Sequence, residues 1–413
     1  MGAHPRVHRG RLRRAPLGVR VAAEGAGLVD FSRQPDRRGQ DDSLEGGCVM
    51  SRVGILTRHC YPNYGSLLQA IALQEALAKS GADVRVVDYV PPSDSRFGLA
   101  TASLRESRMR NSALRSAAYL AIQGPNYAVM ASRFRGFQKK NLRLTRKITA
   151  GTDVHAIAED FDRIVVGSDQ VWNVIHGALD EAYFLQPVRD AHKKYSYAAS
   201  FGSGVPTDDV ETRRLLGDFQ SVSVREPSAV PTLNEFGVTV RRDVDPVLLH
   251  GRDFWAKFAA QVKRPARPYV LAYQLHNTSE FTRRAEELCR RTGLPLRRVN
   301  VDVKRLVGAR GRSHYLVPPE NFVALFRDAD AVITDSFHGL SFSLMFGRPV
   351  YPVLPDKGAA RLTDLLQSVG LERLAVTGSQ DLPSSADYDA AEVSARLKAL
   401  ADESWDYVRG LAS

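Results

Sequence analysis

The hexapeptide Thr334-Asp335-Ser336-Phe337-His338-Gly339 sets a carboxylate, a hydroxyl, an imidazole and a glycine directly after the apolar run Ala331-Val332-Ile333. The run reads as a strand and Gly339–Phe346 as the helix after it, so these residues fall at a helix N-terminus. Free backbone N–H groups and the positive end of the dipole make such a place a natural phosphate or carboxylate site. His338 there is a proton donor or acceptor, and Gly339 is expected to let the backbone approach a ligand. The same spacing also suits a plain arrangement in which Ser336 caps the helix and His338 is an interface histidine.

Arg225 ends a second apolar run, Ser221–Val224. Its guanidinium matches a carboxylate or phosphate bidentately, or pairs with Glu226. Lys357 and Arg361, in the loop Pro355–Arg361, either close over an anion or belong to a solvated loop. A third strand-like run leads into Gly167-Ser168-Asp169-Gln170-Val171-Trp172-Asn173. Trp172 suits stacking on a sugar, with Asp169, Gln170 and Asn173 bonding hydroxyls; a tryptophan buried in a structural turn is the alternative. The turn Tyr61–Gly65, with Asn63 in it and Gln69 beyond, is ambiguous in the same way. Neither a G-x-G-x-x-G nor a Walker pattern follows any strand, and there is no H-E-x-x-H, so a P-loop and a zinc hydrolase are not supported.

The elements that must position these residues alternate. Val53–Leu56 (strand), a helix through Leu67–Leu77 and Val84–Tyr89 (strand) form one βαβ unit, and a parallel sheet follows from it. Residues 94–150 break the rhythm with a basic, amphipathic helical stretch, an inserted subdomain or a long helical excursion, in which Leu104, Leu114, Ala118, Tyr119, Phe134 and Phe137 are inward candidates. Strands at Ile164–Val166, Lys194–Ser200 and Ser221–Arg225 complete a first block. A second block alternates from Pro268 to Ser368, and a final helix covers Ala391–Leu411. The expected architecture is α/β: an N-terminal Rossmann-like domain over 50–245 with the helical insertion 94–150, a C-terminal Rossmann-like domain over 246–390, and the helix 391–413. In open α/β sheets ligands sit at the C-terminal strand ends, where the residues singled out above fall.

The chain has 413 residues and a formal net charge of +11. The charge is local: residues 94–147 hold twelve Lys and Arg against Asp94 and Glu106. That stretch is the place for an anionic partner. No run approaches about 18 uninterrupted apolar residues, which argues against a membrane-spanning helix. Three cysteines, Cys48, Cys60 and Cys289, show no C-x-x-C spacing and exclude a disulfide scaffold; their scarcity fits a reducing cytosol. Residues 1–49 are rich in Arg, Gly and Ala, lack the apolar core of a signal peptide and precede Met50 and its strand. They read as a disordered extension or a mis-called start, or else as a basic arm.

Six segments in order resemble the polysaccharide pyruvyl transferase family. They are Val53–Thr57 with Asn63–Ala70, then Val166–Asn173, Ser196–Gly202, Ser223–Glu226, Asp245–Leu249 and Thr334–Gly339, the last being a Ser-Phe-His-Gly variant. The resemblance spans 51 to about 371. It implies a GT-B-like pair of facing Rossmann-like domains and transfer of the pyruvyl group of phosphoenolpyruvate, as co-substrate, onto two hydroxyls of a cell-surface glycan or its lipid-linked precursor, giving a cyclic ketal. It implies no metal and no further cofactor. By the same resemblance His338 is catalytic. The resemblance also makes Arg225 a donor-binding residue; Ser336, Phe337, Gly339, Lys357 and Arg361 are the further donor candidates, and Asn63, Tyr64, Gln69, Ser168, Asp169, Gln170, Trp172 and Asn173 the acceptor candidates. Some members carry Arg-Leu-His where this chain has Ser336-Phe337-His338, so either Arg348, Lys357 or Arg361 replaces the lost guanidinium or the donor differs. A cytoplasmic protein is expected, in which residues 94–147 face either the inner side of an anionic membrane or the pyrophosphate of a lipid-linked sugar, or else form a solvated helical face. Nucleic acid is not an expected partner. A GT-B nucleotide-sugar glycosyltransferase is the alternative.

Overall fold

In the computed structural model, residues 50–106, 111–173, 179–202, 204–206, 208–302, 310–356 and 358–413 are described. The expectations for residues 1–49 and for Lys357 lie outside them. The chain opens with strand Arg52–Leu56 (β1), helix Tyr64–Lys79 (α1) and strand Asp83–Val86 (β2). Helices Arg96–Glu106 (α2), Ala113–Asn141 (α3) and Val154–Ala158 (α4) follow, then strands Arg163–Val166 (β3) and Lys194–Ser196 (β4). Helix Asp209–Leu216 (α5), strand Val222–Val224 (β5), helix Ala229–Glu235 (α6) and strand Val240–Arg242 (β6) end the first half.

The first sheet runs β2-β1-β3-β4, all parallel. It continues through single bridges to the parallel pair β5-β6, with Ala199 N donating to Ser223 O and Arg225 N to Ala199 O, both at 3.0 Å. On the opposite edge β2 bridges the segment around Leu144 and Ile148 in parallel. Counted with that segment, the order is 3-2-1-4-5, the Rossmann arrangement. Residues 94–150 are therefore no inserted subdomain. They are the long helical excursion, serving as the crossover from the second strand to the third, as a parallel sheet requires.

Helices Pro246–Leu249 (α7) and Gly251–Phe258 (α8) lead to the second half. Its elements are Val270–Tyr273 (β7), Ser279–Thr292 (α9), Leu296–Asn300 (β8), Arg312–Tyr315 (β9), Pro319–Arg327 (α10), Ala331–Thr334 (β10), Phe337–Met345 (α11), Val350–Pro352 (β11), Ala360–Val369 (α12) and Ala390–Ala412 (α13). The sheet order is β11-β10-β7-β8-β9, again parallel and again 3-2-1-4-5 from its far edge. Local signals explain the helix ends. Thr278 caps α9, and Gly293, left-handed at φ 69°, stops it. Pro319 starts α10, where its missing N–H costs nothing.

One helix joins the halves. α1 is buried on nearly every side, which is why it is apolar or small all round rather than striped. The Tyr64 ring stacks on Phe322 of α10 at 4.4 Å, and its hydroxyl donates to Val317 O at 2.7 Å. The final helix, α13, returns to the first half: Tyr407 Oη donates to Ser196 O at 2.9 Å and Val244 N donates to Ser404 Oγ at 3.0 Å. Two Rossmann-like sheets with a returning C-terminal helix make the fold GT-B-like.

Candidate active site

The C-terminal strand ends of both sheets meet at a cleft of about 590 Å³. The first half contributes Arg58, Asn63, Ser66, Asp169 and Gln170. The second contributes Tyr273, Gln274 and Leu275 at the end of β7, Asn300 and Asp302 at the end of β8, and Ser336, Phe337 and His338 after β10, with Arg361 from α12. Leu99, Ala102 and Ser103 of α2 and Tyr127 and Met130 of α3 form a further wall.

Each residue of the hexapeptide has a task. Thr334 Oγ1 donates to Tyr273 O at 2.7 Å, tying β10 to β7. Asp335 accepts from the backbone N–H of Leu275 and His276 at 2.6 and 2.8 Å and so fixes the rim loop. Ser336 caps α11, its Oγ accepting from Gly339 N at 3.3 Å. The Phe337 ring carries the Arg225 guanidinium at 4.7 Å. Gly339 departs from expectation: a β-carbon there would lie 2.3 Å from Thr334 Oγ1, so the glycine serves helix-to-strand packing rather than approach to a ligand.

The His338 imidazole is buried where the halves touch. A β-carbon on Gly65 would lie 2.0 Å from its Nδ1. Its Nε2 stands 3.6 Å from Asp245 Oδ2. Asp245 also caps α7 and accepts from Arg225 Nη1 at 2.7 Å. Burial acts to raise the Asp245 carboxyl, but His338, Arg225 and the Val247 N–H outweigh it and hold the group well below the usual carboxylate range. Asp169 is likewise lowered despite burial, through Arg225, His338 and the Ser66 hydroxyl, which donates to it at 2.5 Å.

The two arginines of this cluster are in opposite electrostatic states. Burial acts against the charge on Arg225, but Glu226, Asp245 and Asp169 more than restore it, and its pKa is raised. It lies behind Phe337, outside the cleft lining, with Nε on Glu226 at 3.1 Å. Arg361 lines the cleft, and there burial and the neighbouring Arg225 pull its pKa below the ordinary value against the nearby acids. With its amide oxygen turned toward Arg361, Gln170 accepts from Nη1 and Nη2 at 2.5 and 2.8 Å. Four buried polar atoms of this cluster find no hydrogen-bond partner among the described residues: Arg225 Nη2, Glu226 Oε2, His338 Nε2 and Arg361 Nε. Buried polar atoms are rarely left so, and four at one place mark where a guest is expected.

The acceptor candidates divide. Asn63, Asp169 and Gln170 line the cleft, Asn63 also capping α1. Asn173 sits beside it, 2.9 Å from the Gln170 amide. Tyr64, Gln69, Ser168 and Trp172 do not reach the cleft. Trp172 is fully buried; its indole stacks on Phe184 at 5.5 Å and donates to Tyr183 O at 2.9 Å, so the structural turn is the correct reading. The Gln69 amide donates to Thr57 Oγ1 and accepts from Ser168 N, and Ser168 Oγ donates to Ala198 O; these groups brace the loops that carry Asp169. Of the cations proposed to replace the missing guanidinium, Arg361 is in the cleft and Arg348 is not. Sequence reading missed Arg58, whose guanidinium grips Asp94 at 2.7 Å, and the α2–α3 wall; no motif marked either. It quoted Asp245 without giving it a role, although Asp before Pro is a helix-start signal.

The fold and the site thus define a GT-B-like protein with an interdomain cleft that holds a histidine, a carboxylate and an arginine. A family description, polysaccharide pyruvyl transferase, matches residues 63–357, and the chain belongs to that family. No curated protein matches the chain. Among solved structures, it is similar to Arabidopsis thaliana UGT89C1 complexed with quercetin (13% identity, 88% of this chain and 93% of that one, TM-score 0.40). It is also similar to UDP-GlcNAc 2-epimerase from Neisseria meningitidis bound to UDP-GlcNAc (12%, 88% and 94%, 0.43) and to the glycosyltransferase SnogD from Streptomyces nogalater (14%, 87% and 98%, 0.43).

Proposed function

We propose that the chain moves the pyruvyl group of phosphoenolpyruvate onto two hydroxyls of a sugar, forming a ketal and releasing inorganic phosphate. The observation that carries this reading is the group of unpartnered atoms around Arg361, His338 and Arg225. Arg361 is half-buried with its Nε enclosed, and desolvation and the neighbouring Arg225 pull its pKa below the ordinary value. A small anion offsets that pull and takes up its free Nε. Arg225 backs the site: it holds Asp245 and Phe337 in place and offers its one free Nη2.

The chemistry begins with a proton from His338 to the methylene carbon of the donor. Asp245 Oδ2, 3.6 Å from the imidazole Nε2, orients the ring for that transfer. The resulting oxocarbenium carbon is attacked by the first sugar hydroxyl. The carbon–phosphate oxygen bond then breaks, phosphate departs and the second hydroxyl closes the ring. Of the two hydroxyl protons, one restores His338 and one leaves on phosphate. The cleft has room for donor and sugar together, being within the range of ordinary ligand sites of about 300–1,000 Å³. The α2–α3 wall and the Asn300–Asp302 rim would flank the acceptor.

The test is phosphate release from phosphoenolpyruvate in the presence of candidate glycans, with the product's new methyl group followed by NMR. Turnover that needs both substrates and vanishes in His338→Ala supports the reading. Hydrolysis of a nucleotide sugar instead, with phosphoenolpyruvate inert, makes the protein a glycosyltransferase.

A further inference from the structure

The α2–α3 hairpin has a second, outer face that the cleft does not use. Among the described residues, four of the seven large hydrophobic side chains exposed to solvent belong to the hairpin: Phe97, Leu114, Ile122 and Val129. Leu114 was an inward candidate and is instead 81% exposed. Leu114, Ile122 and Val129 follow the helical repeat at steps of eight and seven, which places them along one side of α3. The other exposed positions between them are Arg115, Ala117, Ala118, Ala121 and Pro125. No charged residue occurs from 116 to 132. The apolar side then runs into a shallow depression lined by Val129, Arg133, Gly136 and Phe137.

The sequence around this face has one sign, although Arg135, Lys140 and Arg143 pair with Asp88, Glu320 and Glu75 of other elements. Residues 107–152 contain ten Lys and Arg and no acid. Arg115 and Arg133, both exposed, bracket the apolar stretch. We propose that the outer face of α3 rests on an anionic lipid surface, with Leu114, Ile122 and Val129 at the boundary of headgroups and acyl chains and Arg115 and Arg133 against the headgroups. An apolar helix face rimmed by Arg and Lys is what such a surface retains. The helix lies on the membrane and does not cross it; no described helix is long and apolar enough to do so. A second copy of the chain fits worse, because a two-fold contact through this face would set Arg115 and Arg133 against their own counterparts. Nucleic acid would use the cations but gain nothing from Leu114, Ile122 and Val129. The inner face of the same hairpin lines the cleft, so docking brings the cleft to within about one helix diameter, roughly 10 Å, of the lipid. The inference rests on the surface alone and holds whatever reaction the cleft performs.

The experiment is sedimentation of the full chain with vesicles of neutral phosphatidylcholine and of phosphatidylcholine mixed with phosphatidylglycerol, at low and high salt. It is repeated for Leu114→Ser/Ile122→Ser/Val129→Ser and for Arg115→Glu/Arg133→Glu. These side chains are exposed, and circular dichroism checks that the variants fold. The expected result is salt-sensitive binding to the anionic vesicles, weakened about tenfold or more in either variant. Three results would overturn the proposal. They are no binding to anionic vesicles, binding unchanged in both variants, or a wild-type dimer in analytical ultracentrifugation that the triple serine variant dissolves.

Discussion

The imidazole of His338, from the second Rossmann-like half, packs on Gly65 of the first so closely that a β-carbon on residue 65 would fall 2.0 Å from Nδ1. The backbone of α1 lies on one side of the ring and Asp245 on the other. Gly65→Ala must therefore move the imidazole. If His338 delivers the proton, turnover falls by about 10²–10⁴-fold, the range for loss of a positioned acid or base. Stability falls by about 1–3 kcal/mol, the usual cost of overpacking. Steady-state kinetics beside a thermal melt separates the two effects: a fold that persists with turnover intact contradicts the placement.

Trp172 gives the opposite contrast. Because its indole is fully enclosed, Trp172→Ala costs about 3–5 kcal/mol of stability. Trp172→Phe keeps most of the packing but leaves Tyr183 O without its donor, and should cost less while leaving the acceptor KM unchanged. A KM that rises several-fold in a well-folded Trp172→Phe protein would return the indole to the acceptor.

The Asn126 amide of α3 spans the cleft mouth, donating to Asp302 Oδ1 at 3.2 Å and accepting from Tyr315 Oη at 3.0 Å. Asn126→Ala unties this wall from the β8 rim. The acceptor KM should rise several-fold with kcat little changed, because the contact lies away from His338. A drop in kcat at constant KM would mean that the hairpin controls the chemical step.

Away from the cleft, His250 is sheltered beneath Phe254 at 4.1 Å and bonds Ala72 O at 2.8 Å. Burial lowers its pKa from 6.5 to about 4. Between those values the unfolded chain binds the proton and the folded one does not, so stability is present above pH 6.5 and is lost as pH falls toward 4. Melts across this window should show a midpoint falling with pH, and His250→Gln should flatten the slope. An unchanged slope in the variant would assign the effect to another group.

The strands and helices were legible because their signals are local. The run Ala331–Ile333 and the proline opening α10 stand within a residue or two of the observed elements. Strands β6 and β9 were not: Val240–Arg242 and Arg312–Tyr315 are short and polar, and only pairing with β5 and β8 makes them strands. The crossover role of residues 94–150 was hidden for the same reason, since it rests on bridges from β2 to Leu144 and Ile148. At the site, residue types and strand ends pointed to His338, Asp169, Gln170 and Arg361. They did not tell Arg225 from Arg361, because which guanidinium is over-supplied with acids depends on Asp245, Glu226 and Asp169 meeting in space. Nor did sequence show Trp172 turned inward, since a core tryptophan and a sugar platform share the same letters.

The most direct measurement of the central claim is the melting temperature of the full chain with phosphoenolpyruvate, UDP and GDP in turn, for wild type and Arg361→Ala. Binding to the native state alone raises the midpoint by mass action. The account predicts a rise with phosphoenolpyruvate only, abolished in Arg361→Ala. A rise with UDP or GDP and none with phosphoenolpyruvate would contradict it.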